Sequence, residues 1–272
     1  MTASVIFSTY NSEDWLEKTI IGFSVQTFKD FEIIIADDGS REATKVLIDR
    51  LRAEISIPII HVWQEDNGFQ KSQILNKAII ASSSDYLIFT DGDCIPREDF
   101  VEVHIKHREQ GYFLSGGYYK LPMDISIAIT RKDIVAQNCF NLNWLKSQGL
   151  KSSGKNIKFI ASGLSAKILN FITPTNASWN GHNSSGWKED LVAVNGFNQE
   201  MQYGGQDREL GERLFNKGLK SKQIRYSAIC VHLDHKRGYV NKETWNKNYD
   251  IRANTRTNKV IKTPIGIDSN HL

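Results

Sequence analysis

An α/β fold built on a mostly parallel sheet is the class this sequence predicts, and three observations carry it. Short β-branched or aromatic runs alternate with helix-like segments through the first part of the chain, the pattern of strands joined by crossover helices. Polar clusters rich in Asp, Asn and Gly follow these runs, where the carboxyl ends of strands in open sheets place their ligands. The chain has 272 residues, 40% of them hydrophobic, enough to enclose a sizeable core in one large domain or two small ones.

The expected strands are Ser4 to Phe7, Phe31 to Ala36, Ile57 to Val62 and Tyr86 to Thr90. After the first, Asn11 or Ser12 can cap a helix whose Leu16, Ile20 and Phe23 fall on one face. Further helices are expected over Lys71 to Ala81 and Asp99 to Glu109. The pattern changes after Lys120. Between Ile134 and Trp187 there is no Asp or Glu, while Lys146, Lys151, Lys155, Lys158 and Lys167 fall inside, and Gly149, Ser152, Ser153 and Gly154 mark a loop. This stretch reads as an irregular or short-helical basic excursion: either a solvated positive face, or a surface that docks on an anionic membrane or a phosphorylated acceptor. Order is expected again from Gly181 to Phe197, in a helix from Asp207 to Lys217 and in a strand near Gln223 to Val231. The Asn-rich stretch from Lys236 to Leu272 reads as a surface helix followed by a loose tail.

Composition narrows the function. The net charge of +3 falls well short of the basic stripe that marks a nucleic-acid binder, so that class is set aside. Cys94, Cys139 and Cys230 are odd in number and far apart, which argues against a disulfide framework or a zinc site. No charged leader precedes Ser4, and no apolar run approaches bilayer-spanning length. A cytoplasmic protein is therefore expected, with peripheral contact at the inner face of a membrane through the basic stretch over residues 134–188.

The chemistry concentrates at the ends of the expected strands. Asp91-Gly92-Asp93 closes an apolar run with two carboxylates, which in an extended chain point to the same side. Hard oxygen ligands of this kind suit Mg²⁺ or Mn²⁺ together with a diphosphate, and a capped turn before Pro96 is the plainer alternative. Ser8-Thr9-Tyr10-Asn11 and Asp37-Asp38-Gly39-Ser40 follow the first two strands. An Asp there can accept from a base N–H or a ribose hydroxyl and Tyr10 can stack on a base, while an ordinary Asp/Gly turn also explains the second cluster. Gly68-Phe69-Gln70-Lys71 opens a helix where an ammonium and an aromatic ring can hold a nucleotide, although Phe69 suits a core equally. Asp207 opens another helix after two glycines, where backbone N–H groups favour an ionised carboxylate. His104 and His107, three apart on an expected helix face, could bind a metal but read better as a surface pair, and His182, which could reach a donor or acceptor sugar, receives no role. A nucleotidyltransferase would share several of these parts, but no glycine-rich phosphate loop follows the first strand. A non-catalytic nucleotide-sugar-binding protein is the other alternative.

Two sets of motifs make a resemblance specific. The run from Gln26 to Ser40, Gln-Thr-Phe-Lys-Asp-Phe-Glu-Ile-Ile-Ile-Ala-Asp-Asp-Gly-Ser, and Phe89-Thr90-Asp91-Gly92-Asp93 resemble the N-terminal signature and DxD motif of inverting family 2 glycosyltransferases with the GT-A fold. Asn195-Gly196-Phe197, Tyr203-Gly204-Gly205-Gln206-Asp207 and Arg213-Leu214 resemble the acceptor half of β-1,4-galactosyltransferases and chondroitin polymerases. The segment from Phe69 to Asn76 is similar to the uridine-contacting helix of those galactosyltransferases.

The resemblance implies a single GT-A domain over residues 1–272, with a nucleotide-sugar half over 1–118, an acceptor half over 119–238 and a C-terminal helix and tail over 239–272. Thr9, Tyr10, Asn11, Asp37, Phe69, Lys71, Asp91, Gly92 and Asp93 would then bind a UDP-sugar, with Asp91 on ribose or sugar. Asp93 and His232 would hold the metal, and an imidazole in an oxygen-rich site favours Mn²⁺ over Mg²⁺. Asp207 would be the general base, and Tyr203, Gly205 and Gln206 would meet the acceptor. Tyr203 stands where the galactosyltransferases have Trp, and Gln206 where a Glu usually precedes the base. The implied reaction moves a hexose or N-acetylhexosamine, with inversion, to a hydroxyl of a growing surface glycan or lipid-linked glycan, as in capsule or lipopolysaccharide synthesis.

Overall fold

A computed structural model describes residues 1–235 and 242–268. In chain order the elements are β1 (Ala3–Thr9), α1 (Glu13–Ser24), β2 (Phe31–Asp37), α2 (Glu42–Glu54), β3 (Ile59–Trp63), α3 (Lys71–Ala81), β4 (Tyr86–Asp91), β5 (Cys94–Pro96), α4 (Phe100–His107), β6 (Tyr112–Ser115) and β7 (Gly117–Lys120). There follow α5 (Met123–Ala128), α6 (Arg131–Val135), α7 (Leu142–Ser147), α8 (Ile157–Ile160), α9 (Gly163–Ile172), β8 (Ser184–Trp187), α10 (Lys188–Ala193), α11 (Gln206–Asn216), β9 (Lys220–Gln223), β10 (Ile229–His232) and α12 (Lys242–Thr257).

The first strands are apolar along their whole length because both of their faces are covered. Val5 and Phe7 of β1, Ile33 and Ile35 of β2 and Ile88 of β4 enter one core with Leu16 and Ile20 of α1 and Ile48 of α2. The alternate residues Ile6, Ile34, Leu87 and Phe89 enter a second core with Ile74 and Ile79 of α3 and Leu210 of α11. The sheet is therefore an α/β sandwich, mostly parallel at its centre, as the alternation of strand and helix runs predicts.

Strand order places the site. β3, β2, β1 and β4 lie side by side in parallel, and the sheet continues through antiparallel β8 to β6 and β9. β1 leads to β2 and β2 to β3 on one side, whereas the connection from β3 through α3 returns to β4 on the other side of β1, so the strand order reverses there and a crevice opens at the carboxyl ends. There Thr9 pairs with Asp37, Asp37 with Trp63, and Ser8 with Asp91. A smaller sheet of β5, β10 and β7 sets His232 opposite Cys94, next to the Asp91-Gly92-Asp93 turn.

A buried ion pair ties the C-terminal half to this sheet. Arg213 and Glu209 are 0% and 1% exposed, with Nε to Oε1 at 2.8 Å. The guanidinium also donates to the carbonyls of Val194 and Gly196, and Thr255 of α12 donates to Glu209 at 3.0 Å. Asn76 of α3 accepts from the Phe197 amide at 2.7 Å and donates to its carbonyl at 2.8 Å. The turn at Asn195-Gly196-Phe197 is thus held from both sides, and Gly196 at φ 66° has no room for a Cβ, which would lie 2.3 Å from Asn76 Oδ1.

Four expectations are corrected. The single strand near Gln223 to Val231 is two strands in different sheets, because the chain turns between them with the amides of Ser227 and Ala228 bonded to the Ile224 carbonyl. His104 is not on the surface: it is fully buried, with Nδ1 2.7 Å from Ser185 Oγ and Nε2 3.0 Å from Asn183 Oδ1. The helix from Asp99 to Glu109 is shorter, Phe100–His107. The C-terminal stretch beyond α12 is not a loose tail as far as residue 268, since Ile267 is buried and its amide donates to the Asn195 carbonyl at 3.0 Å. Residues 236–241 and 269–272, which the expected C-terminal helix and tail include, lie outside the described residues. The acid-free stretch is short-helical, as expected.

Replacing Arg213 by Met leaves the Glu209 carboxylate buried without its cation, and should cost about 3–5 kcal/mol in urea unfolding. The double variant Glu209→Gln/Arg213→Met should lose less than Arg213→Met alone, and an equal or larger loss would show that the pair is not the source.

Candidate active site

The Asp91-Gly92-Asp93 turn is shaped by backbone packing. The Gly92 amide donates to the Ser8 carbonyl at 3.1 Å, and a Cβ on Gly92 would stand 2.7 Å from that oxygen. Only glycine lets the turn after β4 close onto β1 here. Asp91 Oδ1 accepts from the Lys71 ammonium at 2.7 Å. Burial alone would raise the Asp91 carboxyl, but the Lys71 charge reverses this and holds it below the usual carboxylate range. Burial likewise opposes charge on Lys71, and Asp91, Asp207 and Asp93 together overcome it and raise the ammonium.

Asp93 faces a different set. Its Oδ2 lies 3.0 Å from His235 Nε2 and 3.6 Å from His232 Nε2. His232 Nδ1 donates to the Leu233 carbonyl at 2.7 Å, which turns Nε2 towards the Asp93 carboxylate as the ring atom available to a cation. Ligand atoms of Asp91, Asp93, Cys94 and His232 all lie within 4.8 Å of one another. Burial pushes the Cys94 thiol well up, so it stays protonated and the donors offered are oxygen and imidazole nitrogen. That set fits Mn²⁺ or Mg²⁺ better than a thiolate-seeking metal.

Asp207 lies in the first turn of α11, after Gly204 and Gly205 at φ 114° and 87°. Burial raises its carboxyl to about 6, partly opposed by the Lys71 charge and reinforced by Asp91. The helix start therefore does not keep this acid low, as the sequence alone suggests; desolvation wins. Its Oδ1 is a buried atom with no hydrogen-bond partner, and a Cβ at Gly181 would sit 2.9 Å from Oδ2. Beside it, the Tyr203 ring meets Phe69 edge-on at 5.9 Å. Asn248 of α12 donates to the carbonyls of Gln202, Tyr203 and Gly204 and fixes this loop. Gln206 turns inwards and accepts from the Gly204 amide at 2.9 Å, while Gly205 packs under Arg252.

The remaining candidates line the β1–β2 side. Thr9 is buried with Oγ1 unpartnered, Asn11 at φ 44° bonds Ser40 and Arg41, and the exposed Tyr10 donates to Asp66 at 2.8 Å. Asp37 is 1% exposed, and its oxygens are taken by His61 at 2.8 Å and the Ser40 amide at 2.8 Å. Burial raises the neighbouring Asp38 carboxyl to about 6. Thr9, Asp37 and Asp91 thus lie at neighbouring strand ends, Lys71 contacts Asp91, Asp93 faces His232, and Asp207 is near enough to feel the Lys71 and Asp91 charges. The sequence reading missed His235, three residues after His232, and His182, whose ring packs at 4.4 Å from Tyr118, itself 5.2 Å from His232. The paired histidines flanking Leu233-Asp234 were the available signal for the first.

The architecture is that of the GT-A glycosyltransferases. TarS 1–349 of S. aureus in complex with UDP-GlcNAc superposes with a TM-score of 0.62 at 14% identity, covering 99% of this chain and 69% of that one. The mannosyltransferase PcManGT of Pyrobaculum calidifontis, in complex with GDP-Man and Mn²⁺, superposes at 0.57 with 16% identity, covering 94% and 61%. The chain itself belongs to glycosyl transferase family 2, whose profile matches residues 4–166, and a profile described as the N-terminal domain of galactosyltransferase matches residues 171–236. Chondroitin synthase of Escherichia coli is 25% identical over 253 residues, 84% of this chain but only 34% of that protein.

Because the native Asp207 carboxyl is raised from 3.8 to about 6, the folded protein holds this proton more tightly than the unfolded chain. Its contribution to stability is complete below the lower value and is lost as pH rises through the upper one. Asp207→Asn should therefore melt higher than the parent at pH 7.5, by an amount on the order of 2 kcal/mol, and the gap should close towards pH 4. A gap independent of pH would contradict this ionisation.

Proposed function

We propose that this protein transfers a hexose or N-acetylhexosamine from a UDP-sugar to a hydroxyl of a growing surface or lipid-linked glycan, inverting the anomeric centre. The observation that carries the reading is the meeting of three differently conditioned carboxylates at one crevice: Asp91 paired with Lys71, Asp93 facing His232, and Asp207 desolvated with an unpartnered oxygen. UDP-GlcNAc, named with one GT-A neighbour, supports a UDP-sugar donor, and GDP-Man with Mn²⁺, named with the other, supports a nucleotide sugar with a divalent metal.

In this mechanism Asp93 and His232, with His235 alongside, would hold Mn²⁺ or Mg²⁺, which when bound neutralises charge on the departing diphosphate. Lys71 and Asp91 position ribose and donor sugar. Thr9, Tyr10, Asn11, Asp37 and Phe69 form the nucleoside side, and Gly92 holds the turn that carries Asp91 and Asp93 against β1. Tyr203 offers a ring to a sugar face, with Gly205 and Gln206 shaping the loop beneath it. Asp207 accepts the acceptor hydroxyl proton as that oxygen attacks, and the crevice around it excludes water. With attack opposite the leaving group, an α-linked donor gives a β-linked product. The single-domain division at residues 118 and 238 is proposed on the same ground.

Screening nucleotide sugars for Mn²⁺-dependent hydrolysis or transfer tests the reading directly, and UDP release from a UDP-hexose or UDP-N-acetylhexosamine is expected. Binding of every donor without turnover would point to a binding protein instead. Asp207→Asn should keep donor affinity and lose transfer at least about a hundredfold. A variant with near-normal turnover would remove Asp207 from its role. In the parent, kcat/KM should fall about tenfold per pH unit below about 6, because only the ionised carboxylate accepts the proton.

A further inference from the structure

We propose that the outward face of α8 and α9 docks on an anionic lipid bilayer. Leu164, Ile168, Phe171 and Ile172 of α9 fall on one helical stripe, and they and Ile160 at the end of α8 are all exposed: Phe171 is 90% exposed, Leu164 72% and Ile160 65%. The helix is anchored by its other side. Ala166 is buried, and Asn170 donates to Ser227 Oγ and accepts from the Tyr226 amide, both at 2.9 Å. An amphipathic helix packed for folding alone turns its apolar stripe inwards. Here the stripe is outward, and a contiguous apolar patch of this kind marks an interaction surface.

Charge identifies the occupant. Lys167 of α9 and Lys146, Lys151 and Lys155 in the segment leading into it are exposed, and no Asp or Glu occurs between Ile134 and Trp187. A second copy docked symmetrically would set these same lysines against their counterparts, which like-charge repulsion disfavours. An anionic bilayer complements both features, with headgroups meeting the lysines and the acyl boundary taking Phe171, Leu164 and Ile160. No helix among the described residues is long and apolar enough to cross a membrane, so the contact is peripheral. Lys158 of α8 donates to the Tyr118 carbonyl at 2.6 Å, and the Tyr118 ring touches His182 and His232. The docked face therefore adjoins the candidate active site. If the transferase reading holds, docking would present that site to a lipid-borne acceptor; the docking itself does not depend on it.

Sedimentation with vesicles tests the surface without using activity. The full chain should pellet with phosphatidylcholine vesicles containing phosphatidylglycerol, and not with phosphatidylcholine alone, and raised salt should weaken the binding. Leu164→Glu/Phe171→Glu should lower partitioning at least about tenfold, and Lys155→Gln/Lys167→Gln by about tenfold or more. Both variants should keep the parent's nucleotide-sugar hydrolysis in solution. The native cysteines are all buried, so Phe171→Cys accepts a thiol-reactive fluorophore selectively, and its emission should shift to the blue on anionic vesicles. Equal sedimentation of parent and variants, no binding to anionic vesicles, or a dimer that Phe171→Glu dissociates without any vesicle binding would each overturn the proposal.

Discussion

The Lys71–Asp91 ion pair is the interaction on which the rest of the crevice depends. Asp91, Asp93 and Asp207 come together from two distant parts of the chain, and their mutual repulsion would otherwise protonate some of them or force the loops apart. Lys71, at the start of α3, compensates all three, and its contact with Asp91 at 2.7 Å makes the carboxylates unequal. Asp91 is kept charged and engaged. Asp93 is left to the imidazoles, and Asp207 is left partly desolvated with its carboxyl raised to about 6. One ammonium thus differentiates three identical side chains into three chemical environments.

Close backbone packing makes this arrangement possible. Gly92 brings β4 against the Ser8 carbonyl, Gly181 leaves space for the Asp207 carboxylate, and Gly196 lets the turn after α10 lie on Asn76. The buried Glu209–Arg213 pair then fixes α11 relative to that turn, so the position of Asp207 is set by contacts on the far side of its own helix. Rigidity behind the site and desolvation at it are what the proposed proton-accepting role of Asp207 would require.

Much of this was legible in the chain. The apolar runs of β1, β2 and β4 announced doubly covered strands, and spacing and motif resemblance singled out Asp91-Gly92-Asp93, Lys71 and Asp207, whose charged groups the structure brings near one another. What was hidden depends on partners far away in sequence. Spacing could not show that His61 occupies Asp37, that His104 is buried by Asn183 and Ser185, or that the stretch after α12 packs beneath Asn195. The strand near Gln223 to Val231 failed for a similar reason: a turn divides it between two sheets, and only tertiary pairing reveals the division. His235 lay in plain view, but its approach to Asp93 follows from how β10 pairs with β5.

The measurement that bears most directly on the proposed division of labour is calorimetric titration of UDP into the protein with and without Mn²⁺, repeated on Asp93→Asn. The account predicts that Mn²⁺ tightens UDP binding at least about tenfold in the parent and has little effect in the variant, because Asp93 with His232 supplies the protein's share of the ligands. UDP binding that ignores Mn²⁺, or an Mn²⁺ effect that survives Asp93→Asn, would contradict it.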